Sequence, residues 1–191
     1  MIKQIYISLL FIFIAVSAKA QLSVETSKVV EKEWQGHTFS SDQFLLDNLE
    51  NFNSVEEMIT VFKKGELAFL SNNQQNVTVF LPMDSALESM KRREKKKFLE
   101  QVSSSDLKNL WKEYIIPGRI DSHSIRRNIE NKNGSPIFVR TLGNHQLEFF
   151  LKNDELYLKD YQGNESKWIE GDFYFKNGFF HFIDQLLYYE E

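Results

Sequence analysis

Leu107-Lys108-Asn109-Leu110-Trp111-Lys112-Glu113-Tyr114-Ile115-Ile116-Pro117-Gly118 is the stretch at which the chain changes character. Leu107, Leu110 and Trp111 stand at i, i+3 and i+4, one face of a helix that Ser105 and Asp106 can start. Pro117 cannot continue a helix and Gly118 follows it, so the segment stops there. Before this point the apolar spacing is helical; after it the spacing alternates.

Upstream, Ser54 and Glu57 have the spacing of a capping box, and Val55, Met58, Ile59 and Phe62 fall at i, i+3, i+4 and i+7. Lys63 and Lys64 occupy the last turn and Gly65 ends it. Ser41 or Asp42 can cap an earlier helix carrying Phe44, Leu45 and Leu49. Val77 to Leu81, bounded by Asn76 and Pro82, is a buried strand. A second capping box, Ser85 with Glu88, or Asp84 in its place, opens a helical stretch through Leu87, Met90, Phe98, Leu99 and Val102. Downstream come strands: Ile137 to Leu142, Leu147 to Leu151, Glu155 to Lys159, and a pair, Asp172 to Lys176 and Phe179 to Ile183, around the turn dipeptide Asn177-Gly178. Helices first and strands afterwards argue an α+β domain over alternating parallel β/α units.

Residues 1–20 carry Lys3, an apolar run from Ile5 to Val16 and the cleavage pattern Ala18-Lys19-Ala20, which together predict a secretory signal peptide. The run is too short to span a membrane, which needs about 20 apolar residues. The expected mature chain starts at Gln21, and the Ala-x-Ala site before it points to bacterial export. Residues 21–41, mixed and polar with one short strand at Leu22 to Val24, form an expected N-terminal arm ahead of a domain over 42–189.

Losing Lys3 and Lys19 takes the formal charge from −4 to −6. That balance excludes a nucleic-acid partner, which demands a basic face. The chain has no cysteine, so disulfides, thiolate metal sites and a cysteine-linked lipid anchor are all excluded. The expected product is soluble, without a membrane span once the leader is cut, in the periplasm or outside the cell. Its 17 phenylalanines supply a core large enough to dispense with disulfides.

Four landmarks then resemble one family. Thr78-Val79-Phe80-Leu81-Pro82-Met83-Asp84-Ser85-Ala86-Leu87 looks like the first signature of fasciclin domains, and Asn177-Gly178-Phe179-Phe180-His181-Phe182-Ile183-Asp184-Gln185-Leu186-Leu187 resembles the second. Between them Tyr114-Ile115-Ile116-Pro117-Gly118 is similar to the family's central strand and Thr141-Leu142-Gly143 to its Thr-Leu-x-Gly turn. The resemblance implies a fasciclin-like β-sandwich flanked by helices from the N-terminal half. It also implies a non-enzymatic adhesion module contacting extracellular protein or polysaccharide, including other copies of the domain. It carries over Glu113 and Tyr114, which stand where the family has a Tyr-His pair, and Asp172 and Phe173, which stand where some animal members have an Asp-Ile pair tied to integrin contact. The missing histidine and isoleucine, and Met83 after the proline, are departures from the family pattern.

Other residues offer alternatives. The run Lys91-Arg92-Arg93-Glu94-Lys95-Lys96-Lys97 is either the solvated face of a helix or a footprint for an anionic polysaccharide, with Lys91, Arg92, Lys95 and Lys96 as contacts. His181 invites a catalytic reading beside Asp184, but residues three apart on a strand point to opposite faces, so a hydrogen-bonded core histidine is expected. His37, His123 and His145 lack the spacing of a metal motif, and neither metal nor cofactor is expected. No paired carboxylates, phosphate loop or nucleophile elbow indicates catalysis. The competing readings are a periplasmic carrier that lines a pocket for an apolar ligand with its phenylalanines and, last, a secreted hydrolase built on His181 or His123.

Overall fold

The computed structural model describes residues 28–65, 70 and 75–188. The leader and the strand expected at Leu22 to Val24 lie outside the described residues. Seven strands make one mixed sheet: β3 (Val77–Pro82), β4 (Ile115–Pro117), β5 (Ile137–Arg140), β6 (Gln146–Lys152), β7 (Glu155–Lys159), β8 (Glu165–Phe175) and β9 (Gly178–Ile183). Their order is β4-β3-β9-β8-β7-β6-β5.

The parallel β3/β9 pair is the spine of this sheet, setting Thr78 beside Phe179 and Phe80 beside His181. Every residue of both strands is buried, as a strand covered on both faces must be. Gly178 is required at the start of β9, because any Cβ there would run into the Val77 carbonyl. The turn before it is Lys176-Asn177, one residue earlier than the Asn177-Gly178 spacing predicts, since Phe175 pairs with Gly178 itself.

β8 is twice the predicted length and belongs to both halves of the sheet. Register shifts between Trp168 and Glu170 and between Glu170 and Phe173 bend it, the usual effect of bulges on an antiparallel pair. The sheet then curls until its edges approach, and the Leu142 amide donates to the Ile115 carbonyl of β4 at 2.7 Å. The fold is α+β, and the two layers of the expected sandwich are the two halves of this one folded sheet. Phenylalanines touch ring to ring on both faces of this sheet: Phe80 of β3 lies 5.4 Å from Phe149 of β6 across the curl, while on the other face Phe173 lies 5.1 Å from its neighbour Phe180 and 4.6 Å from Phe39.

The helices are α1 (Leu45–Asn48), α2 (Glu56–Lys64), α3 (Ser85–Glu88), α4 (Arg92–Glu100), α5 (Ser104–Glu113) and α6 (Ser122–Asn131). α2 buries the expected Met58, Ile59 and Phe62, but Ser54 does not cap it. The cap comes from Asp84, whose carboxylate accepts from the amides of Glu57 and Met58 at 2.9 and 2.8 Å, while the Asp84 amide donates to Ser54 O at 2.9 Å. Burial raises the Asp84 carboxyl above its ordinary pKa, against the pull of those two amides. The single helix expected from Ser85 to Val102 is broken by the extended backbone of Lys91. α5 is capped by Ser103, whose hydroxyl accepts from the Asp106 amide. α6 is a correction, since the stretch after Gly118 reads as strands. Asp121 caps it through the Ser124 amide at 2.7 Å, and Ile125 and Ile129 turn inward at helical spacing.

Within the stretch expected to be an arm, β1 (Glu31–Trp34) and β2 (His37–Ser40) form a hairpin across Gln35 and Gly36, both with positive φ. This hairpin closes the core. Trp34 stacks 4.9 Å from Phe182, Phe39 is buried, and the Asn48 amide holds Ser40 by both its backbone N–H and its carbonyl.

Candidate functional site

The second signature converges on His181, whose side chain is fully buried between Trp168 and Phe80. The Asp172 amide donates to Nδ1 at 2.9 Å and Nε2–H donates to the Ile120 carbonyl at 3.0 Å. Two backbone groups thus hold the ring as the neutral Nε2–H tautomer. Burial pushes its pKa down to about 4, against the opposing pull of Asp172. Asp184 is engaged elsewhere, accepting from the Lys167 amide at 2.7 Å, so the two do not pair.

Asp172 has a positive φ of 59°, uncommon for a residue with a Cβ. Its conformation is held by the bond to His181 and by its carboxylate, which accepts from the amide and hydroxyl of Ser122 and ties the start of α6 to the sheet. The side chain is partly exposed, at the floor of a cleft of about 310 Å³ between α6 and β8. Charges at that cleft are already matched: Arg126 with Asp154 at 2.7 Å, Lys167 with Glu155 at 2.6 Å and Lys32 with Glu170 at 2.7 Å. Phe173 is a correction to the residues carried over as contacts. It points into the core with no exposed surface, because the bulge in β8 sets its neighbours Asp172 and Tyr174 facing out.

Glu113 and Tyr114 are corrected in the same way. The Tyr114 hydroxyl donates to the Leu187 carbonyl and accepts from the Leu187 amide, in full burial that pushes the phenol far above its ordinary pKa. Glu113, 8% exposed, accepts from the Thr141 hydroxyl at 2.6 Å and pairs with His145 Nδ1 at 2.7 Å. A Cβ at Gly143 would collide with this carboxylate, and the Gly143 amide donates to Lys112 O at 3.1 Å. The central-strand and Thr-Leu-x-Gly landmarks therefore meet as a clasp across the seam where β4 approaches β5. His145 is half exposed and stacks on exposed Tyr161, ring centroids 4.2 Å apart.

The basic run lies on α4 and divides by neighbour. Lys95 pairs with Glu57 of α2 at 2.7 Å, tying two helices, while Lys91 and Lys96 are 3.6 and 3.9 Å from Glu94 and Glu100 of their own turns. Arg92, Arg93 and Lys97 have no ion-pair partner among the described residues. Phe98 turns inward from the same helix and is buried.

One surface carried no signal strong enough to be singled out from sequence. The outer face of β5–β8 presents Phe138, 58% exposed, and Ile169, 38% exposed, on either side of Phe150 and Tyr157, whose rings stack 5.7 Å apart. Register places them together: Phe138 opposes Glu148, Phe150 opposes Tyr157 and Tyr157 opposes Lys167. Lys159 pairs with Glu148 at 2.7 Å and Lys152 with Glu165 at 3.3 Å, so this face too has satisfied its own charges. Outward aromatics on alternating strands were the available clue, but alternation alone does not say which face the core takes.

Fold and polar clusters together define an α+β scaffold that spends its buried imidazole and carboxylates on holding the sheet and leaves apolar and basic surface outside. Residues 53–189 match the Fasciclin domain family, and the chain belongs to that family. Fasciclin domains are cell-adhesion and binding modules, generally non-catalytic and typically extracellular. Among solved structures, a FAS1 domain pair from the insect cell adhesion molecule fasciclin I is similar with a TM-score of 0.63 at 12% identity, over 85% of this chain and 67% of that one. Among curated proteins none matches the sequence. No helix among the described residues is long and apolar enough to cross a membrane.

Proposed function

We propose that the chain is exported by its first twenty residues and works as a non-enzymatic adhesion module that holds an extracellular protein on the outer face of β5–β8. The observation that carries this is the set Phe138, Phe150, Tyr157 and Ile169, apolar side chains on a face whose charges are paired among themselves. Exposed aromatics of this kind anchor protein interfaces, and paired charges make a polar rim that costs little to cover. The phenylalanines that a carrier would need around a ligand are in contact with one another. His181, one of the two histidines on which a hydrolase could be built, has both nitrogens bonded to backbone.

The test is retention of the chain from Gln21 on immobilised matrix proteins, polysaccharides and a second copy of itself, at low and high salt. Retention on protein that survives high salt and drops at least about tenfold in the Phe138→Ser, Ile169→Ser double variant is the expected result. Unchanged retention of the double variant would sink this face as the contact surface.

A further inference from the structure

We propose a second contact site on α4, specific for an acidic polysaccharide and independent of the sheet face. Arg93, Lys96 and Lys97 line a cleft of about 570 Å³ together with Glu94 and Gln101. Arg93 and Lys97 stand one helical turn apart, roughly 6 Å along the axis, and neither is neutralised by a described acid. Lys96 leans on Glu100 only at 3.9 Å, with both side chains well exposed. Unpaired cations along an exposed groove in an otherwise acidic chain form a local attraction for a linear polyanion.

Two further features choose among polyanions. Gln101 and Glu94 put an amide and a carboxylate among the cations. These are the groups that bond sugar hydroxyls, and a binder of bare phosphate would gain nothing from the acid. An anionic lipid surface is disfavoured by packing: a helix that lies on lipid needs an apolar face turned outward, and α4 has committed Phe98 to the core. Lys95 is excluded from the site, since its ammonium is held against Glu57.

The experiment uses the chain from Gln21 against immobilised heparin, polygalacturonate and neutral dextran, and against vesicles rich in phosphatidylglycerol. Expected are salt-sensitive retention on heparin or polygalacturonate, none on dextran, and a loss of roughly tenfold or more in Arg93→Glu, Lys97→Glu at an unchanged melting temperature. Lys132→Glu, at the C-terminal end of α6, and the Phe138→Ser, Ile169→Ser variant should retain wild-type binding, which separates this site from the sheet face. The proposal is overturned if the α4 reversal leaves retention unchanged, if Lys132→Glu weakens it equally, if dextran binds as well, or if only vesicles bind.

Discussion

Two histidines of this domain each lie beside a carboxylate, and the two arrangements are opposite in character. His181 is sealed under Trp168 and Phe80, gives both nitrogens to backbone groups, and stays neutral although Asp172 Oδ1 is 3.8 Å from its Nδ1. His145 keeps half its ring in water, stacks on exposed Tyr161, and bonds the Glu113 carboxylate directly at 2.7 Å. An acid nearby therefore does not define the role of an imidazole. The atoms that occupy its nitrogens and its access to water do.

The strongest way to break this comparison is to remove each ring. His181→Ala leaves the Asp172 amide and the Ile120 carbonyl unpaired and opens a hole among aromatic rings, so urea unfolding should show a loss of about 4 kcal/mol. His145→Ala removes a half-exposed partner while Thr141 still bonds Glu113, and should cost under about 1 kcal/mol. Equal losses would end the distinction.

Acidity sharpens it next. As pH falls from the ordinary imidazole value of 6.5 to about 4, the unfolded chain takes up a proton on His181 that the folded chain refuses. Stability from this group is thus complete above the upper value and is lost through that window, by about 3 kcal/mol. The measurement is the pH dependence of unfolding in wild type against His181→Gln, which does not titrate there. Parallel curves would show that the buried ring is not held neutral.

The smallest effect applies the same contrast to helix starts. Asp84 reaches the α2 amides from 27 residues away in sequence, and Asp84→Ala should destabilise by about 1 kcal/mol. Ser54, adjacent to α2 but bonded to exposed Gln35, should tolerate alanine within about 0.5 kcal/mol in thermal denaturation. A larger cost at Ser54 would restore the local capping box.

Most of the fold was legible where a single element carried its own pattern. The i, i+3, i+4, i+7 set of α2, the apolar run of β3 and the alternation in β6 each appear as read. α6 was not, although Asp121 with Ile125 and Ile129 is a capped helical pattern, because it sits among strand-like residues. The candidate site was less legible. Of its family-derived residues Asp172 keeps a partly exposed side chain, while Glu113, Tyr114 and Phe173 turn inward.

The amino-acid sequence by itself determined the order of helices and strands, the two signatures that pair as β3 and β9, and through them the family. These follow from periodicity and from residues that only one local conformation accepts. Tertiary structure alone decided which polar and aromatic side chains face outward. In β8 the buried positions are Ser166 and Trp168 before the two register shifts and Gly171, Phe173 and Phe175 after them, so the buried set passes from even to odd positions within one strand. Likewise the partner of Glu113 lies 32 residues away in sequence and that of the His181 Nε2 61 residues away. No local pattern encodes such contacts, because the tertiary fold is what brings those groups within a hydrogen bond of each other.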